Sequence, residues 1–204
     1  MKILKPTDTE IWARFRNGDN QSLSLIYNQN ARKLYLYGLK FTANHSLIED
    51  SIQDLFSDLV RTRQNLGDTN NIQIYLFKAF KRRLHRQLLK EKRYDLGEND
   101  EEYSFEIAYS IEHEIINAEN ADLRVKSLHR AIGTLTSRQK EAIYLRFTEG
   151  LKYEEISEIM NMSIESCRNL MYRTIKSLKD ALHPKGSGAT MLFIMKQLRA
   201  DNNC

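Results

Sequence analysis

The stretch that decides the fold spans residues 136–182: TSRQKEAIYLRF (136–147), TEGLKYEEISEIM (148–160) and NMSIESCRNLMYRTIKSLKDAL (161–182). Thr136 is a good N-cap, and Gln139 three residues on completes a capping box, so a helix starts there. Gly150 suits the left-handed position just past the end of that helix, near Phe147 or Thr148. Tyr153 to Met160 reads as a two-turn helix that buries Ile156, Ile159 and Met160. Asn161 falls at a tight turn, and asparagine enters the left-handed region more readily than most non-glycine residues. Ser163 caps a long final helix, and Glu165 in its first turn suits the positive end of the helix dipole. Helix, turn, short helix, tight turn and long helix make the pattern of a DNA-reading helix-turn-helix.

The final helix separates into two faces. Cys167, Met171, Ile175, Leu178 and Leu182 step by four, four, three and four, which predicts a buried stripe. Glu165, Arg168, Asn169, Tyr172, Arg173 and Lys176 recur at helical spacing on the other side. Arg, Asn and Lys are side chains that reach base edges or phosphates in a major groove. With Ser163 and Ser166 at the start of the helix, they form the candidate DNA-reading set.

Upstream of this module the chain also reads as helical. Asp8–Arg16 is a short helix stopped by Asn17-Gly18-Asp19. A long helix is predicted over 20–41, and a third over Ser46–Val60, with Leu47, Ile48, Ile52, Leu55, Phe56 and Leu59 on one side. Asp50, Gln53, Asp54 and Asp58 occupy another side. After a loop at Gly67–Asn71, a fourth helix covers Ile72–Arg93 and changes character halfway. From Lys78 to Arg93 it holds eight Lys and Arg and one acid. Lys78, Lys81, Arg82, Arg83, Arg86 and Lys90 are candidates for phosphate contact, because each base near a phosphate releases counterions. Phe77, Phe80 and His85 interleave with them, and aromatic rings stack on unpaired bases.

Charge is distributed in blocks. Residues 1–93 carry 17 Lys and Arg against 9 Asp and Glu; residues 94–123 carry 10 acids and no Lys or Arg; residues 124–204 carry 14 bases against 8 acids. An acidic linker between two basic units follows, and such asymmetry speaks of partners more than of fold. A helix resumes over Glu112–Gly133, and Pro184–Gly188 closes the second unit. The expected fold is all-α: two small helical domains, 8–94 and 123–183, joined by an acidic linker over 95–122 and followed by a tail over 184–204. Cys167 and Cys204 have no partners at metal-ligand spacing, so a reducing compartment is expected and no metal or cofactor. The start of the chain lacks a signal-peptide core, and the apolar run Met191–Met195 is far shorter than the roughly 20 residues that span a bilayer. Cytoplasmic location without membrane insertion is the expectation. His113-Glu114 has no second ligand, His45, His85, His129 and His183 are isolated, and no phosphate loop or nucleophile elbow occurs. An enzyme is not expected.

Residues 10–182 resemble the RNA polymerase sigma-70 family, in particular its compact extracytoplasmic-function members. Residues 135–178 look like the family's domain four, which reads the promoter −35 element. Residues 48–56 look like the domain-two helix that grips core RNA polymerase, and Asp50, Gln53, Asp54 and Phe56 match residues used there. Tyr75-Leu76 and the basic helix look like the segment that melts and reads the −10 element. The resemblance implies promoter DNA and core polymerase as partners, with an anti-sigma factor as regulator. Departures are Arg82, Arg86, Lys152, Asn161, Glu165 and Leu170, which stand where many relatives carry other residues. A LuxR-type regulator shares such a helix-turn-helix and is the alternative, but it would need a sensor domain, commonly with strands, that residues 1–93 do not spell.

Overall fold

The computed structural model describes residues 6–96, 104–107, 127–128 and 130–182, with only the backbone for 92–96. The expected tail, Cys204, the side chains of Lys92 and Arg93, and most of both the linker and the helix expected over Glu112–Gly133 lie outside what is described. Among the described residues all regular structure is helical. The chain divides into two compact units, residues 1–102 and 103–204.

In the first unit, α1 is Asp8–Arg16, and its start is a full capping box between Thr7 and Glu10. Those hydrogen bonds from Thr7, backbone first and then hydroxyl, hold the Glu10 carboxyl below its ordinary pKa. Gly18 turns the chain at φ +95°. Asp19 then caps α2, Asn20–Gly38, by accepting from the Gln21 and Ser22 amides. The predicted helix over 20–41 therefore ends three residues early. The Phe41 amide turns back onto the Gly38 carbonyl. Gly38 is a contact point: a Cβ there would lie 2.8 Å from Ile48 Cγ2 and 3.1 Å from Phe80 Cζ. The helix α3, His45–Thr62, starts under an Asn44 cap. The helix α4, Ile72–Leu96, starts where Asp8 accepts from the Ile72 amide at 2.8 Å.

These four helices close on an aromatic core. Trp12, Leu34, Tyr37, Ile48, Phe77 and Phe80 are at most 1 % exposed. Each such side chain contributes about 1.5–3 kcal/mol by burial. Trp12 also donates its indole N–H to the Gly67 carbonyl at 2.9 Å, tying α1 to the loop before α4. The expectation that Phe77 and Phe80 stack on bases is corrected by their burial: both rings pack with Tyr37. The apolar half of α4 continues as a buried stripe beneath the basic residues, so its aromatics belong to the core.

In the second unit, α5 is Ser137–Ile143, with the Thr136–Gln139 capping box in place. It runs on into one wide π-type turn, Tyr144–Thr148. Gly150 then turns at φ +72°. The helix α6, Tyr153–Ile159, starts at Lys152, which has no acceptor to offer as a cap. Its amide instead donates to the Glu155 carboxylate at 2.6 Å. Asn161 holds φ +52°. The helix α7, Ile164–Leu182, begins where Ser163 accepts from the Ser166 amide at 3.1 Å.

Residues 104–107, inside the stretch expected as acidic linker, pack within this second unit. Phe105 is fully buried and meets Tyr144 edge-on, with centroids 5.8 Å apart. Lys140, itself buried, donates to Glu106 Oε2 at 2.7 Å. An acidic residue beside a phenylalanine thus docks onto α5 and the turn that follows it.

Candidate functional site

The surface of α7 follows from what its other side buries. Cys167, Met171, Thr174 and Leu178 face the unit's interior. The predicted stripe changes at two places: Thr174 is fully buried in place of Ile175, which is only partly so, and Leu182 is also only partly buried. Thr174 can sit inside because its hydroxyl donates to the Leu170 carbonyl at 2.7 Å, which leaves only its methyl to pack. Burial pushes the Cys167 thiol above its ordinary pKa, as suits a small core residue.

On the opposite side Ser163, Glu165, Ser166, Arg168, Asn169, Tyr172, Arg173 and Lys176 are all exposed. Tyr172 is 69 % exposed, too much for a packing tyrosine. Arg168 is drawn toward α6. Its Nη2 lies 3.2 Å from Glu154 Oε1, and its guanidinium lies over the Tyr153 ring at 6.0 Å. Arg146 lies over the same ring at 5.0 Å and donates to the Leu151 carbonyl at 2.7 Å. Glu154 and Tyr153 escaped the sequence reading. They sit on another helix, and no spacing rule links them to Arg168.

In the first unit the basic residues of α4 do not share one environment. Arg82, Arg86 and Lys90 are exposed, and Lys78 and Lys81 are half-buried. Arg83 turns back onto α3. It is hydrogen-bonded to Asp58 and lies 3.5 Å from Asp54, with its side chain only 26 % exposed. Hydrogen bonds from Arg83, then from Arg61, hold the Asp58 carboxyl below its ordinary pKa. Arg83 and Asp54, expected at two different interfaces, are therefore joined to each other.

Asp50 and Gln53 are exposed on α3, as is Asp54. Phe56 is not: it is 7 % exposed and packs edge-on against Tyr27 at 4.9 Å. Its ring lies in the floor of an open groove between α2 and α3, lined also by Tyr27, Arg32, Tyr35, Ile52 and Gln53. The α2 wall of this groove was missed by the sequence reading. Its one signal is Tyr27, which shares the apolar face of α2 yet remains 46 % exposed. Among the described residues no His, Cys, Asp and Glu group could hold a metal ion. Among them, no helix is long and apolar enough to cross a membrane.

Two units whose described residues form only helices, with a capped helix-turn-helix in the second, define a class of DNA-binding transcription proteins. Residues 126–178 match the family model described as "Sigma-70, region 4". The RNA polymerase sigma-H factor of Pseudomonas aeruginosa is 23% identical over 189 residues, covering 89% of this chain and 97% of that protein. The ECF RNA polymerase sigma-E factor of Haemophilus influenzae is 23% identical over 192 residues, covering 87% and 96%. The fold is shared with the sigma factor RpoE of Bartonella quintana, solved with the anti-sigma factor NepR. The TM-score is 0.53 at 21% identity, over 79% of this chain and 94% of that one. The region-4 match and relatives named as sigma factors along most of their length support an RNA polymerase sigma-70 factor of the extracytoplasmic-function kind. The LuxR-type alternative is not favoured, because relatives named as sigma factors match across both units.

Proposed function

We propose that this sigma factor holds core RNA polymerase at one surface and promoter DNA at two others. The exposed face of α7, from Ser163 to Lys176, enters the major groove of the −35 element. Lys78, Lys81, Arg82, Arg86 and Lys90 follow the phosphates of the −10 region, while Arg83 braces α4 against α3. Asp50, Gln53 and Asp54, with the adjoining groove floored by Phe56, form the polymerase-binding face. The single observation that carries this reading is the division of α7. It buries Cys167, Met171, Thr174 and Leu178 and leaves Arg168, Asn169, Tyr172, Arg173 and Lys176 in solvent.

In this reading the protein performs no bond chemistry. Promoter opening draws on binding free energy: phosphate contacts that release counterions and bases held outside the duplex. The domain-two body is residues 8–94 and the −35 domain is residues 123–183 extended upstream by the docked segment 104–107. The acidic stretch over 95–122 joins them. An anti-sigma partner is supported by the Bartonella quintana relative, which was solved with one. The work is done beside DNA and polymerase in the cytoplasm.

Run-off transcription tests the reading. Adding the full chain to core polymerase on a genomic template library should yield discrete, promoter-specific transcripts. Core polymerase that initiates no differently with and without the chain would refute it.

A further inference from the structure

We infer that Glu154, on α6, is a positioning residue that sets which sequence α7 prefers, by holding Arg168 ready for a base edge. The inference rests on the proposed reading of α7 as the duplex-binding helix. An arginine on an exposed helix can go to two places on DNA. It can contact the nearest phosphate, which carries no sequence information, or place its planar fork on a base edge, most often guanine. The second needs a fixed orientation, and the first does not. Arg168 is held on two sides: Glu154 Oε1 lies 3.2 Å from Nη2, and the Tyr153 ring lies under the guanidinium at 6.0 Å.

The other face of the problem is charge. The Glu154 carboxylate beside Arg168 opposes the approach of a second anion such as a phosphate, and it takes one of the guanidinium's five N–H donors. The pair is exposed, with side chains 61 % and 51 % accessible, so it adds little to stability. Its geometry matters for another reason. It spans two helices, from the first turn of α6 to the first turns of α7, where a major-groove helix meets bases. Arg146 stacks over Tyr153 at 5.0 Å and is anchored to the Leu151 carbonyl, so the ring itself is held in place. Removing the carboxylate should therefore release Arg168 to the phosphates. Overall affinity would hold or rise, and discrimination would fall.

The test assembles the full chain with core polymerase and selects from a linear duplex library randomised over twelve base pairs. Wild type should enrich one sequence. Arg168→Ala should flatten the preference at one or two adjacent base pairs. Glu154→Gln should flatten the same positions by about tenfold. It should also steepen the log-affinity against log-salt plot by about 0.9, the mark of one added phosphate contact. The double variant should match Arg168→Ala alone. Arg168→Lys keeps the charge but loses the planar fork, and should lose discrimination as Glu154→Gln does, which keeps the test open if one variant folds poorly. A Glu154→Gln profile equal to wild type, beside a flattened Arg168→Ala profile, overturns the role of Glu154 and leaves base reading by α7 standing. Profiles unchanged in both Arg168→Ala and Arg173→Ala overturn base reading by α7, and the inference with it.

Discussion

Replacing Phe105 by alanine tests whether residues of the acidic stretch are part of the second unit. The ring is fully buried and meets Tyr144 edge-on at 5.8 Å. Burial of a phenylalanine side chain contributes about 1.5–3 kcal/mol. An edge-to-face aromatic pair adds about 0.5–1.5 kcal/mol. The sum, roughly 2–4 kcal/mol, is an upper bound, because a segment of four residues can lift off and let water reach Tyr144 instead of leaving a cavity. Lifting off also separates Glu106 from the buried Lys140, which works in the same direction. For a unit of this size each kcal/mol is worth about 4–8 °C in Tm. The fall expected for the second unit alone is therefore at most roughly 8–32 °C. The chain has one tryptophan, Trp12, and it lies in the first unit. Its fluorescence reports that unit, whereas far-ultraviolet circular dichroism reports both. Phe105→Ala should move a circular-dichroism transition and leave the Trp12 transition in place. A shift under about 2 °C, or equal shifts in both signals, would refute the docked-segment account.

Three further perturbations bear on the scaffold. Gly38→Ala puts a methyl group 2.8 Å from Ile48 Cγ2 and should destabilise the first unit by about 1–3 kcal/mol, read from Trp12 fluorescence in urea. Asn161→Gly relieves a left-handed backbone at φ +52° and should raise the Tm of the second unit by a few degrees, whereas Asn161→Val should lower it, since left-handed backbone costs a branched residue about 1–2 kcal/mol. The depressed pKa of Asp58, held by Arg83 and Arg61, gives a pH dependence with a definite sign. The folded carboxyl titrates below the unfolded one. Its stabilising contribution is complete above the ordinary value of 3.8 and is lost as pH falls through the lower folded value. The stability gap between wild type and Asp58→Asn should be constant from neutral pH to about 5 and shrink below that in acid melts; a gap independent of pH would show that the Arg83 pairing does not survive in solution.

What the sequence by itself determined was local. Caps and left-handed turns act within three or four residues, so Thr136 with Gln139, Gly150, Asn161 and Ser163 marked the helix-turn-helix before any packing was known. Helical periodicity likewise separated the exposed face of α7 from most of its buried one, but it missed Thr174, whose hydroxyl is satisfied by its own helix, and placed Ile175 and Leu182 deeper than they lie. The tertiary structure decided everything that depends on which helix lies beside which. It placed Phe77 and Phe80 in the core, because the inner face of α4 is covered by α2 and α3. It turned Phe56 from a contact residue into a groove floor, and ended α2 at Gly38, where three helices converge. It spent Arg83 on Asp54 and Asp58, and brought Glu154 and Tyr153 to Arg168. It also drew Phe105 out of a stretch whose acidic composition reads as linker, because one buried ring and one ion pair are enough to dock four residues. Composition averages over a segment, whereas burial is settled one side chain at a time by partners distant in the chain.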